Sequence, residues 1–182
     1  MKLSVKKITQ DFRDMKILEQ VNNEAFPENE RIEIPELLQL AAEERMDTLA
    51  VYDGDDFVGF CSLVIEAPMI YVFFLAVDSR KRSMGYGGRI IALLQELYSE
   101  YQIALDLELI DESAPNSSQR KRRREFYLRN GFGETGYCLQ YNGMLFELLV
   151  LGETFDKEKF IHLLEVKKPK NVPAKLFVRD YL

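Results

Sequence analysis

Residues 75–94, LAVDSRKRSMGYGGRIIALL, pass from the end of an apolar run through a basic turn and a glycine cluster into a helical pattern. Residues 70–77 are almost continuously β-branched, aliphatic or aromatic, which predicts a strand buried on both faces. Asp78 and Ser79 end that strand, while Ile90, Leu93, Leu94, Leu97 and Tyr98 recur at helical spacing. The helix must therefore open at Gly85-Tyr86-Gly87-Gly88. The first amides of a helix lack partners within it and carry the positive end of its dipole, and residues without a Cβ let a phosphate come close. Arg80, Lys81, Arg82 and Arg89 add positive charge at the same place. An anion-binding turn is the expectation, and a tight turn without a ligand is the alternative. Two other phosphate loops fit worse: residues 84–89 have neither a Gly-Lys-Ser/Thr ending nor a third glycine three residues after the second.

A chain of 182 residues that is 47% apolar can bury one sizeable core and is short for two domains of ordinary size. No repeat or low-complexity tract interrupts it. The amino-terminal residues contain no apolar stretch of signal-peptide length, and no segment approaches the roughly 20 apolar residues of a membrane span. A cytoplasmic protein without a membrane partner is expected. Cys61 and Cys138 lie in apolar, strand-like surroundings and read as buried free thiols, and a lone histidine, His162, argues against a multi-histidine metal site. The net charge is −6, yet ten of the 24 cations fall in two patches, four in residues 80–89 and six in 120–129. That pattern suggests a polyanionic small molecule bound locally and a cationic partner for the acidic remainder. It argues against nucleic acid, which favours a basic domain.

In chain order, residues 3–8 read as a strand, followed by a helix starting at Thr9 or Asp11 and running to about Phe26. A polar loop over 26–34 leads to a second helix with Pro35 in its first turn. Residues 48–52 and 57–65 flank an Asp-Gly turn as a hairpin, before the strand at 70–77 and the glycine-opened helix. Residues 103–109 alternate as a strand, and Asn116 or Ser117 caps an arginine-rich helix that ends at Asn130-Gly131. A second hairpin, 135–141 and 144–151, turns at Asn142-Gly143, and a helix from Asp156 and a strand at 174–178 complete a mixed α/β series.

Val77, Arg82, Gly85 and Gly87 match V-x(4)-[QR]-x-x-G-x-[GA], and this resembles the acyl-CoA pyrophosphate loop of the GNAT superfamily of N-acyltransferases. Asn116 followed by Phe126-Tyr127-Leu128-Arg129-Asn130-Gly131-Phe132 is similar to that family's later motif. The resemblance covers residues 1–151, expected to form a GNAT-like acetyltransferase domain. Residues 152–182 would be a helix-strand extension of the same domain, adding a sheet edge or a homodimer contact. It implies acetyl-CoA as co-substrate, no metal, and a cofactor site made of Leu75, Ala76, Val77, Arg82, Ser83, Met84, Gly85, Tyr86, Gly87, Gly88, Asn116, Arg123 and Tyr127. The backbone of Leu75, Ala76 and Val77 would pair with pantetheine like an added strand. Arg120, Arg123 and Arg124 share one side of their helix and could reach CoA phosphates, or simply form a solvated surface. Asn116 could equally be only an N-cap.

Tyr127 matches the tyrosine beside the CoA sulfur in that family. A phenol with an ordinary pKa of about 10 can give a proton to a departing thiolate, although a packed core aromatic would look the same in sequence. Many members carry a glutamate on the fourth strand as general base, and Tyr71 stands at that position here. A lysine-like amine is neutral only about once in several thousand at pH 7, so a base matters. Glu28 and Glu108 are the carboxylates singled out for it, with Glu30 beside Glu28. The acidic residues Glu24, Glu28, Glu30 and Glu33 favour a cationic amine acceptor. The rival expectation is a CoA-binding module of the same fold that has lost transfer.

Overall fold

The computed structural model describes residues 2–28, 30–141, 143–152, 154–167 and 174–179, so Asn142 of the expected turn lies outside the described residues. The chain divides into two compact units: residues up to Ile65 with Val72–Ser99, and Glu66–Tyr71 with the residues from Glu100 onward.

In the first unit the strands β1 (Leu3–Lys7), β2 (Asp47–Asp53), β3 (Asp56–Glu66) as far as Ile65 and β4 (Met69–Val77) from Val72 lie side by side in chain order. The first three pair antiparallel, with a bulge at Val51/Tyr52. Eight consecutive residues of β3, from Phe57 to Val64, are buried, as a strand covered on both faces requires. Gly59 of β3 is fixed by its neighbour: a Cβ there would stand 2.1 Å from the Ala76 carbonyl oxygen of β4. The helices are α1 (Met15–Ala25), α2 (Ile34–Ala42) and α3 (Tyr86–Leu97). Leu18 and Val21, Leu37 and Leu40, and Ile90, Ile91, Leu93 and Leu94 are their buried apolar residues, spaced at the helical period.

The first helix starts later than its sequence suggests. Phe12 N bonds the Thr9 carbonyl in a separate turn, and the Asp14 carboxylate accepts a 2.7 Å hydrogen bond from the Tyr52 hydroxyl of β2. That long-range partner fixes the entry to α1 at Met15 in place of Thr9 or Asp11. After α1, Phe26 packs on Phe74 at 4.4 Å and Asn22 donates to the Ile32 carbonyl at 2.9 Å, so both ends of the acidic loop are pinned.

In the second unit β5 (Gln102–Glu108), β6 (Phe132–Tyr141), β7 (Met144–Leu151) and β8 (Lys175–Val178) are ordered β5-β7-β6-β8, all neighbours antiparallel. Pairing with β6 makes β8 an added edge strand. The sixth strand begins at Phe132, three residues before its expected start. A bulge between Glu134 and Cys138 divides it, with Gly136 at φ +77°. The helices are α4 (Ser117–Arg129) and α5 (Lys157–Lys167). Asp156 caps α5, accepting from Lys159 N at 3.1 Å. Cys61 and Cys138 are buried free thiols. Among the described residues no helix is long and apolar enough to cross a membrane.

Candidate active site

The glycine turn lies where β4 gives way to α3. Asp78, almost wholly buried, accepts from the Arg80 amide at 3.0 Å and from its guanidinium at 3.0 and 2.5 Å, which folds residues 79–81 into a 3-10 turn. Those bonds hold the Asp78 carboxyl below its usual pKa against the opposing effect of burial. Arg82 Nε then reaches back to the Val77 carbonyl at 3.3 Å, and Ser83 adopts φ +63°. Gly85, at φ +80°, is the N-cap of α3, and nothing lies within 4 Å of the Cβ it lacks. Its conformation requires glycine, and its surroundings are open. The first intrahelical bond runs from Arg89 N to Gly85 O at 3.2 Å, leaving the amides of Tyr86, Gly87 and Gly88 ahead of it.

The basic residues of this turn are unequal. Arg89 donates to Asp53 at 2.9 Å, and Tyr86 donates to the same oxygen at 3.1 Å. Arg80 is paired with Asp78, and Lys81 with Asp56 at 3.2 Å. Arg82 instead bonds a neutral carbonyl. The charge the sequence collects around the glycines is thus largely matched by carboxylates, which leaves amides and Arg82 to meet an anion. Met84 is exposed in the same turn.

Glu108, Asn116, Arg123 and Tyr127 belong to the second unit. Asn116 is the N-cap residue of α4, one of the two expected, although its side chain makes no cap bond. Its Oδ1 accepts from Arg120 Nε at 2.8 Å and its Nδ2 approaches Glu108 at 3.4 Å, so these partners replace the helix amides. Glu108 on β5 also binds Arg120 at 2.8 Å and Arg123 at 3.3 Å. Arg124 bonds Glu147 at 2.8 Å and also Glu134, and Lys121 pairs with Glu112 at 2.7 Å. The side shared by Arg120, Arg123 and Arg124 therefore faces protein carboxylates.

Tyr127 is buried on α4, its ring 5.0 Å from Phe126 and 5.4 Å from Phe132. Burial pushes its hydroxyl pKa up to about 12, with Arg123 opposing and Asp106 adding to the rise. Tyr71, at the strand position of the absent glutamate, packs edge-on to Phe160 of α5 at 5.5 Å. Burial, followed by Asp106 and Tyr141, holds its hydroxyl well above the usual phenol range. Asp106 of β5 accepts from the Tyr141 hydroxyl at 3.0 Å. Sequence reasoning did not single out Asp106, although strand alternation over 103–109 puts it on the same face as Glu108. Glu28 stands exposed in the turn after α1.

A strand ending in a glycine-opened helix, followed by a strand, an asparagine-led helix and an antiparallel hairpin, is the order that the resemblance to the acyl-CoA-dependent acyltransferases implies. Residues 44–134, half of the chain, match the family model described as the acetyltransferase (GNAT) domain. The chain belongs to the GNAT acetyltransferase family, and acyl-CoA-dependent N-acetyl transfer is its enzyme class. No curated protein matches the sequence. Among solved structures it is similar to a protein from Bacteroides thetaiotaomicron described as a GNAT-family acetyltransferase. That pair is 27% identical, with 92% of this chain and 99% of the other covered and a TM-score of 0.72. The fold is shared with an aminoglycoside 6'-N-acetyltransferase complexed with coenzyme A, at 16% identity, 81% and 95% coverage and a TM-score of 0.61. It is also shared with the PaiA N-acetyltransferase of Thermoplasma acidophilum in complex with coenzyme A, at 15% identity, 84% and 100% coverage and a TM-score of 0.59.

Proposed function

We propose that the protein transfers the acetyl group of acetyl-CoA to a primary amine of a cationic acceptor, by direct attack in a ternary complex without a covalent enzyme intermediate. The observation that carries this reading is the start of α3, where left-handed Gly85 has open space beside it and the amides of Tyr86, Gly87 and Gly88 precede the first intrahelical bond. Arg82, Ser83, Met84 and these four residues cradle the pyrophosphate, and the backbone of Leu75, Ala76 and Val77 pairs with pantetheine. Asn116 and Arg123 add polar contacts to the cofactor. Tyr127 hands its proton to the departing thiolate; burial keeps the phenol protonated at neutral pH but also makes it a weaker acid than a free phenol, so the role rests on its place in the motif. The acidic loop after α1, with exposed Glu28, favours an acceptor that carries further positive charge. Of the carboxylates proposed as base, Glu108 would have to release two guanidinium partners to take a proton, and Glu28 is exposed in a turn.

The experiment is a panel of spermidine, kanamycin and a peptide with a free amino terminus, each with acetyl-CoA, read by release of CoA thiol. One of these amines should release thiol. For that amine, Tyr127→Phe should lower kcat at least about thirtyfold while acetyl-CoA affinity changes less than about fivefold, as loss of a general acid requires. A kcat within about threefold of the parent would remove Tyr127 from the chemistry. Tight acetyl-CoA binding with no thiol release from any amine would support the CoA-binding module instead.

A further inference from the structure

The first turn of α3 is poorly equipped to hold itself in place. Its N-cap is Gly85, its second and third residues are Gly87 and Gly88, no side chain caps it, and no acidic residue stands in it. Glycine loses the most backbone freedom on ordering, and an uncapped helix start has nothing local to fix its first amides. A pyrophosphate bound there would need the amides of Tyr86, Gly87 and Gly88 already aligned. Any fraction of the protein in which that turn is frayed is lost to binding.

The turn is held from the β2–β3 hairpin. Tyr86 and Arg89, which bracket the two glycines, are three positions apart and so share one side of the helix. Both reach the same atom: Asp53 Oδ2 accepts from the Tyr86 hydroxyl at 3.1 Å and from Arg89 Nη1 at 2.9 Å. The Arg89 guanidinium lies over the Tyr86 ring, 4.9 Å from its centroid, so the two side chains also brace each other. Asp53 ends β2 and faces Asp56 across the hairpin, and Asp56 pairs with Lys81 at 3.2 Å. Further along β3 the Val58 carbonyl accepts from the Asp78 amide at 2.9 Å. One hairpin end thus grips the chain before residues 82–85 and again after them, while the space beside Gly85 stays open.

Taking acyl-CoA as the occupant of this turn, as proposed above, we propose that Asp53 is a positioning residue for the cofactor. It acts through Tyr86 and Arg89, drawing both side chains to the hairpin and aligning the amides of residues 86–88 before the anion arrives. A carboxylate would repel a phosphate that met it directly, and the Arg89 guanidinium beside it offsets that charge. The two glycines leave bare backbone for the ligand, and the residues with side chains anchor it.

Asp53→Ala removes the shared acceptor and leaves the glycines, Tyr86 and Arg89 in place. With the ordered turn reduced to about one molecule in ten, calorimetric acetyl-CoA affinity of the folded variant should weaken about tenfold. Amide exchange in the free protein reads the same loss without a ligand. Arg89 N bonds Gly85 O at 3.2 Å and closes the first turn, so its protection should fall at least about fivefold while Leu93 and Leu94, further along α3, keep theirs. A lower melting temperature with unchanged affinity and unchanged Arg89 protection would make Asp53 a stabilising residue only, and overturns the proposal.

Tyr86→Phe tests whether the effect passes through the side chains named. Alone it keeps the ring and removes one donor, so affinity should weaken about threefold; added to Asp53→Ala it should cost nothing more, since the acceptor is already gone. Losses that multiply overturn the coupling and the proposal with it. Should Asp53→Ala not fold, Tyr86→Phe alone carries the test, and unchanged affinity with unchanged Arg89 protection overturns it. A parent that does not bind acetyl-CoA defeats the acyl-CoA reading and this proposal together, whereas a parent that binds it and an Asp53→Ala that binds it equally well defeat this proposal alone.

Discussion

At the start of α3 four cations surround a glycine turn, and along α4 five consecutive cations run from Arg120 to Arg124, so the second patch is the denser in sequence although the anion was expected at the first. Glu108, Glu112, Glu134 and Glu147 reach the α4 side chains from β5, β6, β7 and the segment before the helix, and they absorb most of its charge. At α3 the cations are also largely matched, yet the backbone offers something carboxylates do not consume: amides ahead of the first helical bond, beside a glycine with open space. Cation density along a chain measures potential partners, not available charge. Arg120, Arg123 and Arg124 are held by carboxylates of their own unit, whereas the amides of Tyr86, Gly87 and Gly88 precede the first intrahelical bond.

If that division is right, the two patches should fail in different ways. The largest effect is expected at α4. Glu147 is almost completely buried and bound by both Arg124 and Arg179. Removing one partner of such a pair strands a buried charge, so Arg124→Ala should cost about 3 kcal/mol, the lower end of the range because Arg179 remains. The melting temperature should drop by roughly 6–12 °C for a chain of this length. Acetyl-CoA affinity of the folded variant should stay unchanged by calorimetry, and a tenfold loss would bring Arg124 itself into the binding site.

The α3 turn should show the opposite signature. Gly85→Ala places a Cβ in the open space where the anion is proposed to sit and forces an L side chain to φ +80°. Stability should fall by only about 1 kcal/mol, while acetyl-CoA binding weakens more than about tenfold. Unchanged affinity in a folded Gly85→Ala would leave a tight turn without a ligand.

A smaller effect separates Tyr127 from the charged residues around it. Its folded pKa, about 12, lies above its unfolded value, so its contribution to stability is complete below about pH 10 and is lost as pH rises through 12. Denaturant titrations between pH 10 and 12 should show unfolding free energy falling with pH. Tyr127→Phe should make that slope shallower by about 1.4 kcal/mol per pH unit, one proton's worth. An unaltered slope would mean that the phenol is not buried as described.

The order of strands and helices was readable because each element carries its own period, and because residues 75–94 place a strand and a helix around a turn only glycine can make. What could not be read depends on partners distant in sequence. Asp14 looks like any turn residue until Tyr52, 38 positions away, takes its carboxylate and delays α1. Asn116 has the chemistry of a cap, but Glu108 and Arg120 claim its amide. Asp106 and Glu108 alternate on β5, and the Tyr141 hydroxyl that reaches the first from 35 residues later, like the Arg120 and Arg123 groups on the second, cannot be read locally. Local pattern reveals which residues share a face, whereas the chemistry of a carboxylate is set by whatever the fold brings to it.

The central claim, that the turn at α3 holds acyl-CoA, is tested most directly by the melting temperature of the parent protein with and without acetyl-CoA. At one hundred times its dissociation constant the ligand should add about 2.7 kcal/mol, a rise of roughly 5–11 °C, and Gly85→Ala at the same concentration should lose most of that rise. No shift of the parent at millimolar acetyl-CoA would contradict the account.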